Sequence, residues 1–200
     1  MASLSDSVLI SDYVYHTDGV LPDNYLALEI PFNFKDGFFA EAYRNTQTGE
    51  IVIANRGTEI TDLGDLKADI QLALFKTTQQ EEYAKQFVDA VAQYASNPKN
   101  GITFNNVHIV GHSLGGYLTQ KVLVYIKEQQ SSPENNNYQL YQNTKTSGMI
   151  LNSPGALTVT VKHHHKNGEL FFNQVTISPI FDQVTKKIKH FLWVHQIVTH

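Results

Sequence analysis

Gly111-His112-Ser113-Leu114-Gly115-Gly116 is the stretch of this chain whose residue types and spacing can do chemistry. A serine hydroxyl is a weak nucleophile. To attack a carbonyl carbon it must stand on a sharp turn, beside a base, with hydrogen-bond donors waiting for the oxyanion. Glycines two before and two after Ser113 leave the room that side chains would otherwise fill. Ahead of the motif, Asn106-Val-His-Ile-Val110 reads as a buried strand. Behind it, Leu118, Val122, Tyr125 and Ile126 keep helical spacing to about Gln129. The order strand, tight turn, helix sets Ser113 at the positive end of a helix, with the Leu114 N–H aimed where an oxyanion would form.

Other candidate groups carry less. In the run His163-His164-His165 three consecutive residues cannot share a helical face, and Lys162 and Lys166 flank them, so a solvated segment is expected and no metal. His108 is expected in the core, and His112 is expected to support the turn, its side chain directed away from Ser113. No G-x-G-x-x-G or phosphate-loop sequence is present, so no cofactor is expected.

Several elements must position the serine. Ser5 to Tyr15 has Leu9 or Ile10, Tyr13 and Val14 at helical spacing, and a turn-rich segment follows. Phe38 to Tyr43 and Glu50 to Asn55 read as an antiparallel hairpin around Asn45-Thr-Gln-Thr-Gly49, with Gly49 at the awkward backbone angle. After Arg56-Gly57-Thr58-Glu59, the residues Leu63, Leu66, Ile70 and Leu74 fall on one helical face. Thr78-Gln-Gln-Glu81 has the form of a capping box. It opens a helix that buries Tyr83, Phe87, Val91 and Tyr94 or Ala95 and stops near Asn97-Pro98. Gln129 to Ser147 is polar and reads as a solvated connection, with a mobile lid as the alternative. Gly148 to Asn152 is expected as a strand, Asn173 to Ser178 as another, and Ala156 to Lys166 stays open between strand and helix. Asp182 to His200 spaces Val184, Ile188, Phe191 or Leu192 and Trp193 like a helix.

Composition narrows the setting. At 200 residues the chain is the size of one domain, residues 1–200. With 42% hydrophobic and only 17% charged residues it lies far from the composition of disordered chains. Fifteen Lys and Arg against nineteen Asp and Glu are scattered, so nucleic acid is not an expected partner. The absence of cysteine excludes thiolate metal sites and cysteine nucleophiles. No signal peptide or membrane-spanning run stands out. The expectation is cytoplasmic by default, with export by a route needing no N-terminal signal left open, and at most peripheral membrane contact. Oligomeric state is not legible.

Three motifs carry a family resemblance: Ile51-Val-Ile-Ala-Asn-Arg-Gly-Thr58, the serine turn Gly111 to Gly116, and Asn152-Ser-Pro-Gly155. Between roughly Phe38 and Gly155 the chain resembles the α/β-hydrolase lipases called class 3 and related bacterial lipase-like proteins. Asn55 stands where that family commonly has Phe. The resemblance implies an α/β-hydrolase fold with a mostly parallel central sheet and helices on both faces. It makes Thr58 a second oxyanion donor beside Leu114, followed by an Asp matching Asp62 or Asp65. Arg56 is expected as a structural ion-pair partner.

In this fold the triad order is Ser, acid, His. The acid candidates after Ser113 are Asp182, Glu134 and Glu169; the bases are His163, His164, His165, His190, His195 and His200. Asp182 follows an expected strand, as the family's acid does, and His190 follows it closely, as in some lipase-like relatives. The expected function is cleavage of carboxylic esters, acylglycerols or phospholipids through an acyl-enzyme on Ser113. The chain ends at Gln196-Ile-Val-Thr-His200 inside an apolar pattern, so a truncated C-terminus lacking the base is the other expectation. The alternative function is then a silent lipase-like domain that binds a lipid or a protein.

Overall fold

The computed structural model describes residues 2–16, 19–57 and 77–151, and the backbone of strand 194–199. Helix α1 (Leu4–Tyr13) begins at a capping box that the sequence reading passed over. The Asp6 N–H donates to Ser3 Oγ at 3.1 Å and the Ser3 N–H donates to Asp6 Oδ2 at 3.3 Å, which satisfies two N–H groups that a helix start otherwise leaves open. Strand β1 (Tyr25–Leu28) lies in the segment read as turns. Strands β2 (Ala40–Asn45) and β3 (Ile51–Asn55) form the expected hairpin, with Gly49 at φ 74°. Asn45 Oδ1 accepts from the N–H groups of Gln47 and Thr48, each at 3.0 Å, and so holds the turn from inside.

Helix α2 (Thr77–Ser96) ends just before Asn97-Pro98, as the proline requires. The capping box expected at Thr78 and Glu81 involves the Thr78 side chain, which lies outside the described residues. The Glu81 carboxylate meets Lys85 at 3.1 Å and Lys121 at 3.3 Å. Strand β4 (Asn106–His112) leads into helix α3 (Leu114–Gln130). A one-turn helix α4 (Tyr138–Tyr141) and strand β5 (Lys145–Leu151) follow, and β6 is Val194–Thr199.

The polar stretch after α3 is not a simple solvated connection. Asp89 on α2 accepts hydrogen bonds from Tyr125 (2.9 Å), Asn137 (3.0 Å) and Tyr141 (2.5 Å), and Tyr141 is buried. Burial pushes the Asp89 carboxyl above its ordinary range, against the pull of those donors. At the end of the expected helix Asp182 to His200 the helical spacing misleads: residues 194–199 are a strand, rich in β-branched side chains. The expected helix over Leu63 to Leu74, the strand Asn173 to Ser178 and the segments 156–166 and 182–193 lie outside the described residues.

The six strands form one sheet in the order β1 to β6. β3, β4 and β5 are parallel, whereas β1–β2, β2–β3 and β5–β6 are antiparallel. The sheet is therefore mixed and mostly antiparallel, not mostly parallel. Short reversals such as Asn45 to Glu50 can only join antiparallel neighbours, while the parallel pair β4–β5 takes a helical crossover. Side chains alternate between two cores. Ile51, Ile53, Val107 and Ile109 face α2 and α3, where Phe87, Val91, Leu118 and Ile126 are buried; Val52, Ala54 and Val110 face Ile10 and Val14 from the α1 region. Helices thus cover both faces, as expected. The three parallel strands bring their carboxyl ends to one edge of the sheet, where open α/β sheets build their sites.

Candidate active site

Ser113 sits at that edge. Asn55 of β3 pairs with Gly111, and His112 pairs with Leu151 of β5, so the serine turn rises between the ends of its two neighbours. The Ser113 N–H donates to the Leu151 carbonyl at 2.9 Å, and the Ser113 carbonyl accepts from Gly116 at 3.0 Å. Its backbone angles, φ 56° and ψ −126°, lie where L-residues rarely go. Such strain persists only where the surroundings over-determine it. Here they do. A Cβ on Gly111 would lie 2.2 Å from the Gly115 carbonyl oxygen, and one on Gly115 would lie 2.0 Å from that of Asn55. The glycines flanking Ser113 let β3, β4 and α3 close on one another, the role the sequence assigned to them. Ser113 itself is 7% exposed.

As the first residue of α3, Leu114 has no preceding helical turn to accept its N–H. Among the described residues that N–H has no backbone acceptor. Thr58 lies outside the described residues, but Gly57 before it does not. A Cβ on Gly57 would lie 2.7 Å from the His112 carbonyl oxygen and 3.1 Å from the Gly115 nitrogen. The strand end that carries the Arg-Gly-Thr motif therefore touches the serine turn.

Asn55, noted in the sequence only as a departure from the family's Phe, together with Thr119 and Tyr15, which the sequence reading did not single out, holds these ends together. The Asn55 side chain donates to Thr119 Oγ1 at 3.2 Å, and Thr119 Oγ1 donates to the Gly115 carbonyl at 2.9 Å, a buried chain from β3 to the first turn of α3. The Tyr15 hydroxyl accepts from the Gly57 N–H at 2.6 Å and donates to the His112 carbonyl at 3.2 Å. Asn55 was legible only as a polar residue at the end of an apolar strand. Tyr15 gave no signal, because its partners are 42 and 97 residues away.

Among the described residues, His108 and His112 are packed into the structure. His108 is buried, with Nε2 3.0 Å from Ser7 Oγ and Nδ1 2.8 Å from Ser147 Oγ. Because the Ser7 hydroxyl donates to the Ser3 carbonyl at 2.9 Å, it can only accept from His108, which fixes the Nε2–H tautomer. Desolvation pushes His108 down to about 4. The His112 ring packs edge-on against Tyr15, and burial lowers its pKa as well. Arg56 lays its guanidinium 4.6 Å from the centre of the Phe39 ring.

Among the acid candidates, Glu134 is exposed beyond the far end of α3, a helix of 17 residues. At about 1.5 Å per residue that is roughly 25 Å from Ser113, too far to orient a base there. Asp182, Glu169 and His190 lie outside the described residues, as do Asp62, Asp65, His163, His164, His165, His200 and the Asn152-Ser-Pro-Gly155 motif. Of the candidate bases, His195 alone is in described backbone, in β6 at the register shift opposite Ile150 and Leu151. Among the described residues no cluster of acidic and histidine side chains could hold a metal, and no helix is long and apolar enough to cross a membrane.

A serine on a strained strand-to-helix turn at the carboxyl edge of a mixed α/β sheet is the architecture of lipase-like and phospholipase-like domains. The sequence model of the Tle-like phospholipase domain, a phospholipase-like family, matches residues 9–148, and the chain belongs to that family. The matched span contains the second half of α1, β1 to β4, Ser113 and all of α3. No curated protein matches the chain.

Proposed function

We propose that this protein is a serine ester hydrolase of the lipase or phospholipase type, acting on acylglycerols or phospholipids. The fold would be an α/β-hydrolase formed by residues 1–200 as one domain, related to the class 3 lipases. The observation that carries this reading is the Ser113 backbone, held at φ 56° and ψ −126° by glycines that admit no side chain. A binding module has no use for that strain. Membership of a phospholipase-like family supports the same substrate class.

In the proposed reaction a histidine takes the Ser113 proton while Oγ attacks the ester carbonyl carbon. The Leu114 N–H and Thr58 hold the oxyanion of the tetrahedral intermediate. On collapse the ester C–O bond breaks, and the leaving alcohol receives the proton from the imidazolium. Water, activated by the same histidine, then attacks the acyl-enzyme and releases the fatty acid. His190 is the proposed base and Asp182 its orienting acid. His195 is the second reading for the base, favoured by its backbone position beside the end of β5, whose last carbonyl bonds Ser113.

The test is release of fatty acid from phosphatidylcholine vesicles and of nitrophenol from a p-nitrophenyl ester. Ser113→Ala is expected to abolish both without changing the circular dichroism spectrum. His190→Ala and His195→Ala identify the base by which one falls to the level of Ser113→Ala. Turnover retained by Ser113→Ala would remove the serine from the mechanism.

A further inference from the structure

The Tyr15 hydroxyl spans the two strand ends that the proposed reaction depends on. It accepts from the Gly57 N–H and donates to the His112 carbonyl, so it stands one residue before Thr58 on one side and one residue before Ser113 on the other. From the structure we infer that Tyr15 is a positioning residue of the active site. Its hydroxyl sets the distance between the nucleophile turn and the Arg-Gly-Thr strand end that supplies the second oxyanion donor. This inference rests on the serine-hydrolase reading above.

Two further observations bear on it. Asn55 is the last β3 residue paired with β4, so beyond that point the two strand ends are no longer tied by the ladder. The Tyr15 hydroxyl ties the chains two residues further on, at Gly57. A Cβ on Gly57 would lie 2.5 Å from that hydroxyl, so glycine at 57 is what lets the phenol approach the backbone. The ring is also held by the edge-on packing against His112, at 6.1 Å between centroids, which leaves the hydroxyl little freedom to leave its two partners. Tyr15 touches neither ester nor oxyanion in this scheme. Its effect passes through Gly57 and His112 to the geometry in which Thr58 and Leu114 meet the transition state. Oxyanion donors act by being in place before charge develops, so a loss of position costs turnover and leaves ground-state binding unchanged.

The experiment compares wild type, Tyr15→Phe and Ser3→Ala. The second variant removes the α1 capping box and so loosens the helix that ends two residues before Tyr15, without touching the Tyr15 hydroxyl. The rate of labelling by a fluorophosphonate is measured together with kcat and KM on p-nitrophenyl butyrate. Tyr15→Phe is expected to slow labelling and lower kcat about tenfold, the scale of one hydrogen bond, with KM within about twofold. Ser3→Ala is expected to keep the wild-type rate. Labelling of Tyr15→Phe at the wild-type rate overturns the inference, as does an equal slowing by Ser3→Ala. A Tyr15→Phe chain that fails to fold also overturns it, because the hydroxyl would then serve the fold and not the turn. A folded wild type that is not labelled overturns the serine-hydrolase reading and this inference with it.

Discussion

In the β2–β3 hairpin, Gly49 takes φ 74°, and a Cβ there would meet nothing within 4 Å. In the turn between β4 and α3 the demands are reversed. Gly111 and Gly115 are needed because a Cβ on either would lie about 2 Å from backbone, and the positive φ falls on Ser113 instead. The hairpin gives its unusual angle to the residue that adopts it at least cost. The serine turn gives it to the residue that must present a hydroxyl, and uses its glycines to pack three elements tightly enough to hold that serine in place. Glycine in the first turn answers a backbone requirement; in the second it answers a spatial one.

Alanine substitution separates the two turns most strongly. Gly115→Ala must displace the Asn55 carbonyl, backbone at the end of a central strand, and is expected to lower stability by about 3 kcal/mol or more and to abolish serine labelling. Gly49→Ala carries only backbone strain, about 1 kcal/mol, and is expected to leave labelling intact. Urea unfolding of both variants together with labelling checks the pair; equal losses would erase the distinction between the turns.

The strand leading into the serine turn should also fail first in acid. Unfolded histidine takes up its proton near 6.5, whereas buried His108 does so only at about 4. Between those values the unfolded chain binds more protons, so this contribution is fully present above about 6.5 and is lost as pH falls toward 4. The expected loss is on the order of 2–3 kcal/mol. Urea midpoints measured from pH 7.5 to 4.5 check it, with His108→Gln expected to flatten the profile over that window.

Relieving the strain on the serine should give the smallest change, in the opposite direction. Ser113→Gly is expected to gain about 1 kcal/mol in stability while losing all esterase activity, because glycine adopts φ 56° without penalty. A thermal midpoint no higher than that of Ser113→Ala would mean that the turn stores no strain.

The same two turns show how much of the molecule the sequence carries. The hairpin, β4, α3 and the role of Gly111 and Gly115 follow from local pattern, since each depends on residues within a few positions of one another. The Asp36-Gly37 pair, at φ 53° and 74°, had a local signal that went unused, as did the Ser3 and Asp6 box. Tyr15 and Thr119 had none, and Asn55 had only its polar type at the end of an apolar strand, because what they do depends on β3 and the segment after α1 meeting the serine turn across long stretches of chain. The mixed sheet was obscured for a different reason. The serine motif implies parallel neighbours for β4 only and says nothing of β1, β2 or β6. In 194–199, Val, Ile and Thr fit a strand as well as a helical stripe, and pairing with β5 decides between them.

The central claim is that Ser113 is an activated nucleophile, and covalent capture tests it most directly. The folded protein is treated with a fluorophosphonate, its intact mass measured, and the adduct located by peptide mapping, with Ser113→Ala alongside. A single adduct on the peptide containing Ser113, absent from the variant, is the predicted result. No adduct on a protein shown to be folded, or an adduct that persists in Ser113→Ala, would contradict it.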